Sequence, residues 1–299
     1  FDDTKFVTGS VDATVRVWNW KGECLNVFIG HLNLITKVDF KRNLLVSASG
    51  DGTLVVQNYG ISQNTIPNPT QLITTAEKLS KRIEQVKIEK ASNQSARLVV
   101  LVLTGAFSPI HRDHVRVLEH ARKFMESKGF IVLAGILSPA NDSYGKMGLI
   151  PAKHRLKMVE LAVQDIDWLL VSKWECANTK FKYPYEVLDH IHDYLKNQAH
   201  LELDVSVMYL CGDDVPPRMT SYLDKVASHG MVVVPRGEDE FLQQLPNFTK
   251  HPENIFVMDC WQPSKASSTQ IRDRIHRNES ILDLTFEPVE KYIKENHLF

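Results

Sequence analysis

The chain has 299 residues, 43% hydrophobic and 24% charged, the composition of a folded globular protein with room for two domains rather than a disordered chain. Its 35 basic and 36 acidic residues leave a formal net charge of −1, so no global field draws it to nucleic acid or to an anionic membrane, and any phosphate site has to be local. Four scattered cysteines, Cys24, Cys176, Cys211 and Cys260, lack both the spacing of a zinc site and the density of a disulfide scaffold, which points to a reducing, intracellular compartment, cytoplasmic or nuclear.

The chain begins Phe1-Asp2-Asp3-Thr4-Lys5, with no initiator Met and no signal pattern, as expected of a fragment or a processed product. No apolar run approaches the roughly 20 residues of a membrane span. One pattern then occurs twice, Thr8-Gly9-Ser10-Val11-Asp12-Ala13-Thr14-Val15-Arg16-Val17-Trp18 and Ser47-Ala48-Ser49-Gly50-Asp51-Gly52-Thr53-Leu54-Val55-Val56-Gln57. Gly30-His31 lies between the copies, followed by apolar positions at Ile35, Val38 and Phe40 that read as further strands. The segment 1–60 resembles the WD repeat, with Trp18-Asn19 where Trp-Asp is usual. One and a half blades cannot close a propeller, so this is expected to be part of a longer one and a surface for a protein partner.

Residues 61–96 turn polar and read as a linker. Leu79, Ile83 and Val86 stand at the spacing of an amphipathic helix within Leu72 to Lys90.

From residue 97 the pattern becomes that of an α/β domain running to residue 299. Leu98 to Leu103 is an uninterrupted apolar strand of the kind buried in a parallel sheet. It runs into Gly105-Ala106-Phe107-Ser108-Pro109-Ile110-His111-Arg112-Asp113-His114, and a helix over Val115 to Ser127 follows. Strand, glycine turn and helix start make an anion site, because unpaired backbone N–H groups and the helix dipole favour phosphate there. Asp113 is placed to cap that helix. Further strands are expected at Val205 to Leu210, leading into Cys211-Gly212-Asp213-Asp214, at Met231 to Val234, and at Asn254 to Met258. Near the end, Ala266-Ser267-Ser268-Thr269-Gln270-Ile271-Arg272 looks like a second helix start rich in hydroxyls.

The Gly-x-Phe-x-Pro-x-His-x-x-His run resembles the HxGH-type nucleotidyltransferases. The stretch Ser138-Pro139-Ala140-Asn141-Asp142-Ser143-Tyr144-Gly145-Lys146-Met147-Gly148-Leu149-Ile150-Pro151-Ala152-Lys153-His154-Arg155, with Val171-Ser172-Lys173-Trp174-Glu175 and the Ser267 to Arg272 run, is similar to the nicotinamide mononucleotide adenylyltransferases. That resemblance implies a Rossmann-like parallel sheet over 97–299. It also implies a reaction in which ATP and nicotinamide or nicotinate mononucleotide give a dinucleotide and pyrophosphate, with Mg²⁺ carried mainly on the ATP phosphates and no protein metal cage. His111, His114 and Arg272 would be catalytic. Gly105, Ala106, Phe107, Gly212, Asp214, Ser267, Ser268 and Thr269 would hold ATP; Lys146, Trp174 and Arg236 would hold the mononucleotide, Trp174 by stacking on its ring. The family's second ring-packing tryptophan has no counterpart. Two rival readings stay open: a non-catalytic nucleotide-binding interaction protein, and a related transferase with another acceptor such as pantetheine phosphate. Nothing in the pattern sets an oligomeric state.

Overall fold

The computed structural model describes residues 5–11, 15–28, 34–41, 44–50, 52–58, 76–146, 149–178, 180–197, 204–235, 242, 244–259, 261–264 and 266–299. Arg236, Gly30-His31, Cys260, the Met147-Gly148 pair and the polar stretch 59–75 lie outside them.

The repeat-bearing segment forms two antiparallel three-stranded sheets. The first is β1 (Lys5–Gly9), β2 (Val15–Asn19) and β3 (Cys24–Phe28); the second is β4 (Ile35–Lys41), β5 (Leu44–Ser49) and β6 (Leu54–Asn58). Val15, Phe40 and Leu45 are buried together across the two sheets. Gly9 makes this contact possible, since a Cβ there would lie 2.4 Å from Ile35. The Trp18 indole donates to Thr8 Oγ1 at 2.9 Å, which ties the end of one repeat copy to its own start.

The rest is a six-stranded parallel sheet in the order β12-β11-β10-β7-β8-β9. Its strands are β7 (Arg97–Gly105), β8 (Phe130–Pro139), β9 (Leu169–Val171), β10 (Val205–Gly212), β11 (Met231–Val234) and β12 (Ile255–Val257). Around it lie helices α1 (Ala76–Ser92), α2 (Arg112–Ser127), α3 (Ala152–Val163), α4 (Trp174–Ala177), α5 (Pro184–Asn197), α6 (Leu223–His229), α7 (Ser268–His276) and α8 (Glu287–Glu295). Alternation along β7 divides the core. Val99 and Leu101 face the layer holding residues of α2, α3, α7 and α8, whereas Leu98, Val100 and Val102 face residues of α1, α5 and α6.

Strand order reverses between β7 and β10, and at such a switch point a crevice opens at the strands' C-terminal ends. Gly105 ends β7 and Gly212 ends its neighbour β10, so both glycine motifs border that crevice.

The amphipathic helix spans Ala76–Ser92 and is packed on the sheet. Leu79, Ile83 and Val86 are buried. Arg82 donates from Nε and Nη2 to the carbonyls of Leu133 and Val132 in β8, and the Lys78 ammonium reaches the carbonyls of Val163 and Ile166.

Candidate active site

The loop after β7 is set by packing. Phe107 has φ of 47°, in the left-handed region, and its ring is 1% exposed. Burial of a large aromatic face outweighs the strain of about 1–3 kcal/mol that such a backbone carries. Gly105 leaves room for that ring, because a Cβ would stand 3.1 Å from it. The Phe107 side chain belongs to the core, so the contact with ATP expected of this residue would have to come from its backbone.

The C-terminal part of the chain grips the next three residues. Arg272 Nη1 donates to the Ser108 carbonyl (2.7 Å), Ser268 Oγ to the Pro109 carbonyl (2.7 Å) and Thr285 Oγ1 to the Ile110 carbonyl (2.8 Å). The two helix starts suggested as phosphate sites thus share one crevice. Ser267 is the N-cap of α7, accepting from Gln270 N–H at 3.1 Å, and Thr269 Oγ1 accepts from Arg272 Nη2 at 3.2 Å. Ser267 and Ser268 accordingly spend a hydrogen-bonding site on structure at the start of α7. Asp113 does not cap α2, whose N-cap is His111. Its Oδ2 accepts from Ser264 N–H (2.7 Å) and its Oδ1 pairs with Arg116 (2.6 Å), which fastens the approach to α7.

At the start of α2 the imidazoles of His111 and His114 lie 3.6 Å apart between centroids, and Phe107 meets His114 edge-on at 4.9 Å. His114 Nδ1 accepts from the His111 backbone N–H at 3.1 Å. The neutral ring must then carry its proton on Nε2, leaving that nitrogen a donor.

Arg155 is the buried clamp that the sequence reading did not single out. It is 0% exposed. Nε donates to the Ile150 carbonyl, Nη1 to the Ala106 carbonyl, and Nη2 to both the Ala140 carbonyl and Asp142 Oδ1, at 2.7 to 2.9 Å. One planar fork thus ties the glycine loop to the segment that carries Lys146.

Beside Gly105 lies a cavity of about 760 Å³ whose walls include Tyr144, Phe181, Tyr209 and Tyr222, with Lys146, Lys182 and Arg218 supplying positive charge. The Lys146 pKa is held below the usual lysine range by burial first, then by the neighbouring Arg272 and Arg218 guanidiniums, against the pull of Asp214. A partly buried ammonium beside two guanidiniums is a place where an anion would be favoured. Asp214 pairs with Arg218 at 3.3 Å.

Trp174 is half-buried and does not line this cavity among the described residues. His190 stacks on its ring at 4.2 Å and 7°, and the Lys182 ammonium lies 5.4 Å over it. Trp174 borders the cavity through Lys182, while tyrosines and Phe181 supply the ring faces.

Glu175 follows on the cavity floor, accepting from Ser138 Oγ at 2.8 Å. Burial pushes its pKa up to about 8, against the Ser138 hydrogen bond and the Arg155 charge. It therefore holds its proton at neutral pH. Between the ordinary value of 4.5 and about 8, the unfolded chain releases a proton that the fold retains, so stability falls as pH rises through that window and levels off above it. Glu175→Gln is expected to flatten this slope. Melting curves at pH 5 and pH 8 should show the wild type losing more than the variant, by at most about 4 kcal/mol at roughly 1.36 kcal/mol per pH unit. Equal slopes would mean that Glu175 is ionised in the fold.

Fold and site together define a nucleotidyltransferase of the cytidylyltransferase-like class, and the sequence profile of that family matches residues 102–274. A WD domain, G-beta repeat profile matches residues 1–19 and 22–57. The chain is 31% identical over 229 residues to a nicotinamide/nicotinic acid mononucleotide adenylyltransferase of Arabidopsis thaliana, covering 71% of this chain and 95% of the relative. A nicotinamide-nucleotide adenylyltransferase of Drosophila melanogaster is 31% identical over 237 residues, covering 67% of this chain and 61% of the relative. Over 99 residues, 33% of each chain, identity reaches 46% with nicotinamide/nicotinic acid mononucleotide adenylyltransferase 2 of Danio rerio. The chain belongs to the nicotinamide mononucleotide adenylyltransferase family. No helix among the described residues is long and apolar enough to cross a membrane.

Proposed function

We propose that the chain transfers the adenylyl group of ATP to the 5′-phosphate of nicotinamide or nicotinate mononucleotide, releasing pyrophosphate. The observation that carries this reading is the joining of Arg272 and Ser268 to the carbonyls of Ser108 and Pro109, because it brings both helix starts to one crevice beside Lys146. An oxygen of the acceptor phosphate attacks the α-phosphorus of ATP in line; the bond from that phosphorus to the bridging oxygen breaks, and pyrophosphate carries the electron pair away. No side-chain nucleophile is required, so rate comes from positioning and from donors aimed at developing charge.

In this reading His111 and His114 donate to the ATP phosphates at the start of α2. Gly105, Ala106 and the Phe107 backbone let the triphosphate approach. Arg272 and the Ser267, Ser268 and Thr269 turn hold the leaving pyrophosphate, and Gly212 and Asp214 border the ribose side. Lys146 and Arg236 take the mononucleotide phosphate. The pyridine ring enters the aromatic cavity, with Trp174 at its border. Mg²⁺ would be carried mainly by the phosphate oxygens and water, with Asp214, paired with Arg218, the carboxylate that would help to hold it, and it would neutralise charge on the leaving group. Residues 1–60 are proposed as a protein-binding segment and residues 97–299 as the catalytic unit, joined by 61–96.

Pyrophosphate release with ATP and, separately, nicotinamide mononucleotide, nicotinate mononucleotide and pantetheine phosphate tests the reading. Turnover is expected with one or both pyridine mononucleotides and not with pantetheine phosphate. Release with none of them would favour a non-catalytic nucleotide-binding protein.

A further inference from the structure

We infer that Glu175 reads the substituent on the pyridine ring of the acceptor: with its proton on, it donates to the carboxylate of a nicotinate nucleotide, and with its proton off, it accepts from the carboxamide of a nicotinamide nucleotide. The inference rests on the acceptor class proposed above. It begins from position, since Glu175 is the one acid among the described residues lining the aromatic cavity and is only 3% exposed. Flat ring faces from Tyr144, Phe181 and Tyr222 bind a pyridine without distinguishing its amide from its acid. A buried carboxyl distinguishes them through its ionisation: protonated, it can donate to an oxygen of either group, whereas ionised it meets the acid as a like charge and can accept only from the amide N–H.

Ser138 Oγ fixes one carboxyl oxygen of Glu175, so the other can carry the proton. Of the groups that face this carboxyl, Tyr144, Tyr209 and Cys176 all have pKa values raised by burial, Cys176 to about 12. They stay neutral where Glu175 titrates. Charge on this side comes from Arg155, whose guanidinium is held by carbonyls and Asp142, and from Lys146, Lys182 and Arg218 on the cavity wall. Lys146 also has a lowered pKa and favours anionic acceptors while charged. A test has to separate its titration from that of Glu175.

Comparing the two acceptors at each pH does this, since every group acting on the shared ribose phosphate cancels in the ratio. Both kcat/KM and calorimetric Kd would be measured for nicotinate and nicotinamide mononucleotide from pH 6 to 9.5. For the wild type, the preference for nicotinate mononucleotide is expected to fall on the order of 10- to 100-fold as pH rises through about 8. Glu175→Gln should remove that inflection, leaving the ratio without a step near that pH. Ser138→Ala removes a hydrogen bond that favours the ionised carboxyl, so it should move the inflection to higher pH; this second variant decides the matter if Glu175→Gln does not fold. A flat wild-type ratio, or an inflection unchanged in both variants, overturns the assignment while leaving turnover intact. Failure of both mononucleotides to bind overturns it together with the proposed function, and the pyrophosphate assay tells the two failures apart.

Discussion

His114→Ala is expected to lower kcat by on the order of 10² to 10³ while changing mononucleotide affinity little. The His111 backbone N–H donates to His114 Nδ1 at 3.1 Å, which fixes the ring's orientation and places the proton of the neutral ring on Nε2. A donor held this way costs nothing to orient when charge builds on the phosphates, so its loss falls on the transition state. Trp174→Ala gives the contrast. An aromatic neighbour of the acceptor ring acts equally in ground and transition states, so its removal should raise the mononucleotide KM and spare kcat. With His190 already stacked on Trp174 at 4.2 Å, part of that increase would come from loosening the cavity wall. Steady-state kinetics with saturating ATP checks both variants. A kcat left intact by His114→Ala would remove it from the reaction.

Arg155→Met is expected to destabilise the fold by about 3–5 kcal/mol, a fall in Tm on the order of 10 °C for a unit of this size. Methionine fills much of the volume yet leaves the carbonyls of Ala106, Ala140 and Ile150 and the Asp142 carboxylate without their shared donor. Buried acceptors stripped of a charged partner carry the full desolvation cost. The glycine loop and the Lys146 segment should also drift apart, so activity measured below the new Tm should drop as well. Calorimetry with and without Asp142→Asn in the same chain would show whether the ion pair or the carbonyl bonds dominate. A Tm within a degree or two of wild type would mean that the loops hold their places without the fork.

Much of this could be read along the chain because it depends on neighbours in sequence. The apolar run 98–103 specifies a buried parallel strand, Gly105 through His114 specifies a strand-to-helix phosphate turn, and the spacing of Leu79, Ile83 and Val86 specifies a helix with one apolar face. The repeat at residues 8–18 and 47–57 likewise announced antiparallel strands, which form two three-stranded sheets. Family motifs named the histidines, Lys146 and Arg272 for the same reason.

What the sequence could not give was the set of contacts between distant positions. Phe107 looks like a ligand contact in a motif, but burial against the core turns it inward. Asp113 looks like a cap, until the fold brings Ser264 to its carboxylate. The aromatic cavity draws Tyr144, Phe181, Tyr209 and Tyr222 from four separate stretches, and nothing local to any of them says that their rings meet. Glu175 sits inside a recognised motif, yet its proton is decided by desolvation and by Ser138, 37 positions away. Local periodicity and turn chemistry act over a few residues and are written in order along the chain. Burial, the pairing of Arg155 and the ionisation of Glu175 depend on what surrounds a side chain in three dimensions, and only the folded packing supplies that.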